Sequence, residues 1–299
     1  MIVTVTLNPA LRVQYEAQRV NWGAPNRVTR VRYRAGGRGL AIARMLRTFG
    51  DDVVAAGLAG GAAGELIKTD LARSGVENRF TAIGGESRRT LEVADSDRQH
   101  TTILNEPAPY ITTEELGRFA ADYRRLMKEA TTVVLSGSLP AGLPPEIYGS
   151  LATYAAEAGV PTIIDAGGPD LWYGASRRPA LVIPGPDGPA DAEKCGFDAA
   201  ALVANGVGAV AVLSDSDVRV VTAGQQWRGS LDGHPRLPVS RDALVAGLIP
   251  VVAAGWSWPD TLRHAIALGV AADSAGEVDM DAYEMLLAEV TVLPSEIIG

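Results

Sequence analysis

The sequence predicts an α/β fold: one doubly wound, mostly parallel sheet layered between helices, with a small β sheet set against it. Three observations predict it. From residue 113 onward, short apolar runs alternate with helix-length segments, the pattern of a parallel sheet with right-handed crossovers. Two separate stretches of the N-terminal half alternate apolar and polar residues instead, which suits short strands with one wet face. No repeat or low-complexity linker interrupts the 299 residues, so 1–299 is expected to form a single domain.

Taken in order, Ile2, Val3, Val5 and Leu7 open the chain as a β-branched strand stopped by Asn8-Pro9. "RVQYEAQRV" and "RVTRVRYRA" form the first alternating excursion. "TLEVADSDRQHTTIL" forms the second, a hairpin turning at Asp95-Ser96-Asp97. These lid strands fall at approximately 12–35 and 88–104 and are expected to pair as a small antiparallel sheet. Between them, "GGRGLAIARMLRTFG" is a glycine turn running into an amphipathic helix that stops at Gly50. "DVVAAGLAG" is a buried strand and "AGELIKTDLARSG" a helix ending at Gly75. Helix 113–129, strand "TVVLSG", helix 145–158, strand "PTIIDAG", a short helix, strand "ALVIPG", helix 190–204 and strand "GAVAVLS" then alternate. A 218–230 hairpin and three helices, 241–255, 259–275 and 280–290, finish the chain. Ligands of such sheets bind at the carboxyl ends of the strands, where an inserted small sheet would act as a lid.

The chain is 47% hydrophobic and 21% charged, an ordinary globular composition. Its net charge of −8 argues against a nucleic-acid or anionic-membrane surface. A single cysteine, Cys195, excludes an internal disulfide, and His100, His234 and His264 match no zinc spacing, so no metal cluster is read. The N-terminus has no signal-peptide pattern, and the longest apolar run, "ALVAGLIPVVAAGW", is short for a membrane span. A cytoplasmic protein without a membrane partner is expected.

Four stretches carry a resemblance: "TLNPAL" at 6–11, "GGRGLAIARML" at 36–46, "LNEPAP" at 104–109 and "SGSLPAGLPPEIY" at 136–148, with "RDALVAG" at 241–247 in register behind them. Together they resemble the PfkB/ribokinase carbohydrate kinases, and within them the 1-phosphofructokinase and tagatose-6-phosphate kinase branch. The resemblance implies a ribokinase-like three-layer αβα sandwich with a β-sheet lid, through which family members often pair as homodimers. It implies transfer of the γ-phosphoryl of Mg-ATP to a sugar hydroxyl, with an aspartate as base and helix N-terminal N–H groups holding the developing charge. By position, Asp242 is that base.

The site departs from the family pattern throughout. Arg12 stands where an aspartate binds sugar hydroxyls; it can only donate, so it suits an anionic group or is simply a solvent-facing lid arginine. Gly36, Gly37 and Gly39 keep the turn, either for substrate or for strand-to-helix packing, while Arg38 replaces lysine and Ala41 asparagine. In the lid hairpin Thr90 and Glu92 occupy the positions of a phosphate-gripping Thr-Arg-x-Asn run, Glu92 would repel a phosphate, and Arg88 or Arg89 could restore the cation. On the nucleotide side, Ile183-Pro184-Gly185-Pro186-Asp187 replaces Lys-Pro-Asn and a glutamate, leaving Asp187 or Asp191 as substitutes. Ser214, Asp215 and Asp217 replace the small residues of the ATP loop, where aspartates are unfavourable near a triphosphate. Gly-Ala-Gly-Asp has become Val239-Ser240-Arg241-Asp242; Arg241 could stand in for the lost anion hole, and Ser240 fits an N-cap.

Two readings follow. One is a carbohydrate kinase with a strongly altered site, phosphorylating a sugar or a sugar-like substrate, neutral or acidic, with Asp242 as base and Arg241 as oxyanion partner. The other is a pseudokinase, a binding, regulatory or scaffold protein that kept the fold with a degenerate site.

Overall fold

In the computed structural model, residues 1–185, 198–231, 240–273 and 276–295 are described. The chain opens with β1 (Ile2–Thr6), leaves for β2 (Ala10–Ala17) and β3 (Arg30–Gly36), and returns through α1 (Arg38–Thr48), β4 (Val53–Ala59), α2 (Gly61–Arg73) and β5 (Glu77–Ala82). The second excursion is β6 (Arg88–Asp95) and β7 (His100–Asn105). Then come α3 (Thr113–Leu126), β8 (Thr132–Ser136), α4 (Ile147–Glu157), β9 (Thr162–Ala166), α5 (Gly168–Ala175) and β10 (Leu181–Pro184). They are followed by α6 (Ala199–Ala204), β11 (Ala209–Leu213), β12 (Asp217–Thr222) and β13 (Gln226–Leu231). The last elements are α7 (Arg241–Leu248), α8 (Pro250–Ala253), α9 (Trp258–Ala271), α10 (Met280–Glu289) and β14 (Val290–Ser295).

The main sheet has the order β14-β13-β12-β11-β10-β9-β8-β1-β4-β5. From β11 to β5 every pairing is parallel, and β12, β13 and β14 add on antiparallel. Strands β1, β4, β8, β9 and β10 are buried at every position, as a sheet covered on both faces requires. Alternate residues feed two cores: Val134 and Ile163 join α1, α2, α7 and α9, whereas Val133 and Ile164 join α3, α4, α5 and α6. This is the expected three-layer αβα sandwich.

Three sequence expectations are corrected. Glu77–Ala82 and Val290–Ser295 are strands that the pattern did not reveal. The helix expected at 241–255 is divided at Pro250, whose ring nitrogen cannot donate to the preceding turn. The lid sheet, ordered β3-β2-β6-β7, is not purely antiparallel: its two hairpins meet through a parallel β2–β6 pairing. Of the helix expected at 190–204, Ala199–Ala204 is helical with Asp198 as its N-cap, and residues 190–197 lie outside the described residues.

Strand order reverses around β1, which has β8 on one side and β4 on the other. The crevice at such a reversal, outside the strand carboxyl ends, is where α/β folds place ligands. α1 starts beside it. A Cβ on Gly37, whose φ is 129°, would lie 2.9 Å from the Thr6 side chain, and one on Gly39 would strike Thr6 Oγ1. The glycine turn therefore lets α1 sit directly on the end of β1.

Candidate active site

Three adjacent strands end in a shared polar cluster. Asp165, at the end of β9, is fully buried. Its Oδ2 accepts from Ser136 Oγ of β8 at 2.6 Å, and its Oδ1 accepts from Arg241 Nη2 at 2.8 Å. The same Arg241 nitrogen donates to the Pro184 carbonyl at the end of β10, also at 2.8 Å. Arg38 Nη1, from the first residue of α1, stands 3.6 Å from Asp165 Oδ1. A Cβ on Gly185 would come within 3.0 Å of that Arg38 nitrogen, so glycine there leaves the guanidinium its room.

Asp242 lies in the first turn of α7, one residue beyond Arg241. Among the described residues, no hydrogen bond or ion pair reaches its carboxylate. Burial, reinforced by the charge of Asp165, pushes its pKa up to about 6, against the opposing pull of Arg38, Arg241 and Arg12. Ser240 occupies the N-cap position, yet its side chain makes no capping bond, which corrects the N-cap expectation. Its N–H is already taken by the Gly269 carbonyl at 2.8 Å. Among the described residues, no side chain caps the first-turn N–H groups of α7, which keep their affinity for an anion. Val239 lies outside the described residues.

On the lid, Arg12 and Glu92 form one ion pair, with Glu92 Oε1 2.7 Å from Arg12 Nε and 2.6 Å from Nη2. The expectation of a repelling Glu92 is corrected: its charge is balanced by Arg12, and Arg12 is no longer a free cation. Gly36 makes the contact possible, since a Cβ there would lie 2.6 Å from Arg12 Cγ. The pair lines a polar cavity of about 500 Å³ that also meets Arg34, Asp70 and Asp273. Arg88 and Arg89 fall on opposite faces of β6. Arg88 has a buried Nε without a hydrogen-bond partner among the described residues and sits in the row Gly36–Ala10–Arg88 at the foot of the lid. Arg89 pairs with Glu106 at 4.0 Å and lines the apolar side with Leu91.

Of the described nucleotide-side residues, Pro184 joins this cluster through its carbonyl, whereas Ser214 and Asp215 do not. Ser214 closes its own turn, donating to Asp217 Oδ1 at 2.7 Å and accepting from the Asp217 N–H at 3.0 Å. Asp217 is buried against Arg228 at 2.7 Å, which removes the unpaired charge expected there. Asp215 is exposed. Asp187 and Asp191 lie outside the described residues, and Pro184 contributes its carbonyl to Arg241.

Residues 8–187 match the pfkB family carbohydrate kinase pattern, more than half of the chain. The chain belongs to the pfkB family of carbohydrate kinases. A tagatose-6-phosphate kinase of Staphylococcus epidermidis is 37% identical over 171 residues, 57% of this chain and 54% of the relative. The chain thus spans about half the length of that curated relative. Among solved structures, a possible 1-phosphofructokinase of Thermotoga maritima superposes with a TM-score of 0.84 at 23% identity, covering 99% of this chain and 100% of the other. A putative phosphofructokinase of Staphylococcus aureus gives 0.82 at 24%, covering 99% of each. These two likenesses show the ribokinase-like fold. No helix among the described residues is long and apolar enough to cross a membrane.

Within this pfkB-family fold, sequence reasoning missed Asp165, the hub of the cluster. The available signal was an acid closing the buried run "TIIDAG", a position where a charge has no structural excuse unless it is paired. It also missed Ser136, which lies inside a recognised motif but had no assigned partner.

Proposed function

We propose that this chain transfers a phosphoryl group from Mg-ATP to a hydroxyl of a sugar-like substrate at a strongly altered pfkB-type site. The observation that carries the reading is Asp242: a half-buried carboxylate, its pKa raised to about 6, with no hydrogen bond or ion pair among the described residues, at a helix N-terminus among arginines. Buried nitrogens of Arg38, Arg88 and Arg241 that lack a hydrogen-bond partner among the described residues support a fit to phosphoryl oxygens, Arg38 Nη1 holding only its 3.6 Å ion pair with Asp165. Mg-ATP, when bound, supplies the phosphoryl group and a cation. Asp242 accepts the proton of the attacking hydroxyl, and burial makes it a better base than an exposed aspartate. Arg38 and Arg241, with the first-turn N–H groups of α7, balance the developing charge. The tagatose-6-phosphate kinase relative makes a phosphorylated sugar the first substrate to try, with Arg88 meeting its phosphate.

A second reading, a pseudokinase without turnover, is favoured by the Arg241 contact with Asp165 and Pro184. That guanidinium closes the strand ends at the point where the family pattern has glycines. Calorimetric titration with Mg-ATP, followed by an ADP-release assay with tagatose 6-phosphate, separates the two. Saturable binding and turnover are expected, with turnover about 10²–10⁴-fold lower in Asp242→Asn. Equal ADP release by both proteins would remove Asp242 as the base. Absence of Mg-ATP binding in the wild type, with binding restored in Arg241→Gly, would establish the second reading.

Pairing as a homodimer through the apolar lid face is part of the same proposal. That face carries a partly buried Leu91 and a 56% exposed Tyr33, beside a 44% exposed Leu66 on α2, whereas its Leu11 and Val13 are already buried within the chain.

A further inference from the structure

At the end of the sheet opposite Asp242, a cavity of about 340 Å³ opens near the amino ends of β1, β4 and β8. Its size falls among small-molecule pockets. Four rings make one wall. His264 of α9 stands in the middle, with the ring centroids of Phe49, Trp256 and Tyr283 at 5.2, 5.4 and 5.6 Å, all edge-on. Its Nδ1 lies 2.7 Å from the Tyr283 hydroxyl oxygen. Burial pulls the His264 pKa down to about 4, so the imidazole is neutral near neutral pH and brings no positive charge.

Asp51 also lines the cavity. Among the described residues, no hydrogen bond or ion pair reaches its carboxylate; Arg47 donates to its backbone carbonyl instead, at 3.3 Å. Burial without compensation holds this carboxyl above the usual aspartate range. The neighbouring Asp52, 84% exposed, is ion-paired with the Met1 ammonium at 3.9 Å, so Asp51 is the carboxylate left to a ligand. A carboxylate without a partner among the described residues, in a cavity walled by aromatic rings, repels phosphates and attracts organic cations through its charge.

We propose that this cavity is a second ligand site, for a small organic cation bearing an apolar ring, such as a protonated aralkylamine. Its ammonium pairs with Asp51 and its ring packs among Phe49, Trp256 and Tyr283. The inference is independent of the phosphoryl-transfer reading. A ligand there bears on the far ends of two helices that carry site residues: α1 runs from Arg38 to the Leu46 region, and α7 from Arg241 towards Ile249 and Pro250.

The test is calorimetry on the full chain with benzylammonium chloride, with benzyl alcohol as a probe of similar shape and no charge. Benzylammonium is expected to bind saturably. Benzyl alcohol, and benzylammonium with Asp51→Asn, should each bind at least about tenfold more weakly. Trp256→Ala, at a 43% exposed position, should weaken benzylammonium as well, and it serves as the variant if Asp51→Asn does not fold. No saturable heat up to about 10 mM would overturn the proposal. So would equal affinity for the alcohol, or unchanged affinity in a folded Asp51→Asn.

Discussion

Asp242 has an ordinary pKa of 3.8 when free and about 6 in the fold, because burial and the charge of Asp165 disfavour its ionised form. The native state therefore holds a proton that the unfolded chain has already released. Stability contributed by this proton is fully present below the ordinary value and is lost as pH climbs through about 6. Asp242→Asn should remove that slope, making the variant more stable by on the order of 2 kcal/mol near neutral pH and equal to wild type in strong acid. Urea titrations across the range check this; a variant less stable at neutral pH would show that Asp242 is paired. If the kinase reading holds, activity has the opposite trend, rising as pH passes about 6 and the base ionises. The sequence pointed to Asp242 and Arg241 by motif position. It could not show that Arg241 reaches Asp165, because the two are 76 residues apart and meet only when three strands end together. Arg12 and Glu92 likewise read as separate departures and are one pair across β2 and β6.

At the scale of elements, α7 carries the site and is positioned by α9. A Cβ built on Gly247 would collide with the backbone of Ala265, so this glycine sets how closely the two helices cross. Gly247→Ala should cost about 1–3 kcal/mol by overpacking, even though alanine is the better helix former. A chemical melt measures it, and an unchanged midpoint would mean the helices can part freely. The strands that periodicity missed, β5 and β14, are the two edges of the main sheet. Edge strands are paired on one side and half wet, so "ENRFTA" has polar alternation and "VTVLPS" tolerates Pro294. Central strands such as "IVTVT" and "TIIDA" are buried on both faces and were legible as apolar runs.

For the whole molecule, the lid presents one polar face to the cavity of Arg12 and Glu92, while its apolar face is partly covered, Leu11 and Val13 being buried beside Ala62 and Ala63 of α2 and Tyr33 left exposed. Light scattering should give twice the 31.3 kDa chain mass, and Tyr33→Glu should return it to the monomer by burying an unpaired charge in the interface. A monomeric wild type at micromolar concentration would remove the lid as a pairing surface. The sequence by itself determined the α/β class, the layered architecture, the lid excursions and the family, since these follow from local periodicity and contiguous motifs. Tertiary structure alone decided which charges meet: Asp165 with Arg241, Arg12 with Glu92, Arg88 apart from Arg89. Ion pairing depends on distances across strands and helices that are remote in the chain, and in a buried cleft those distances determine whether a charge is balanced or left for a ligand.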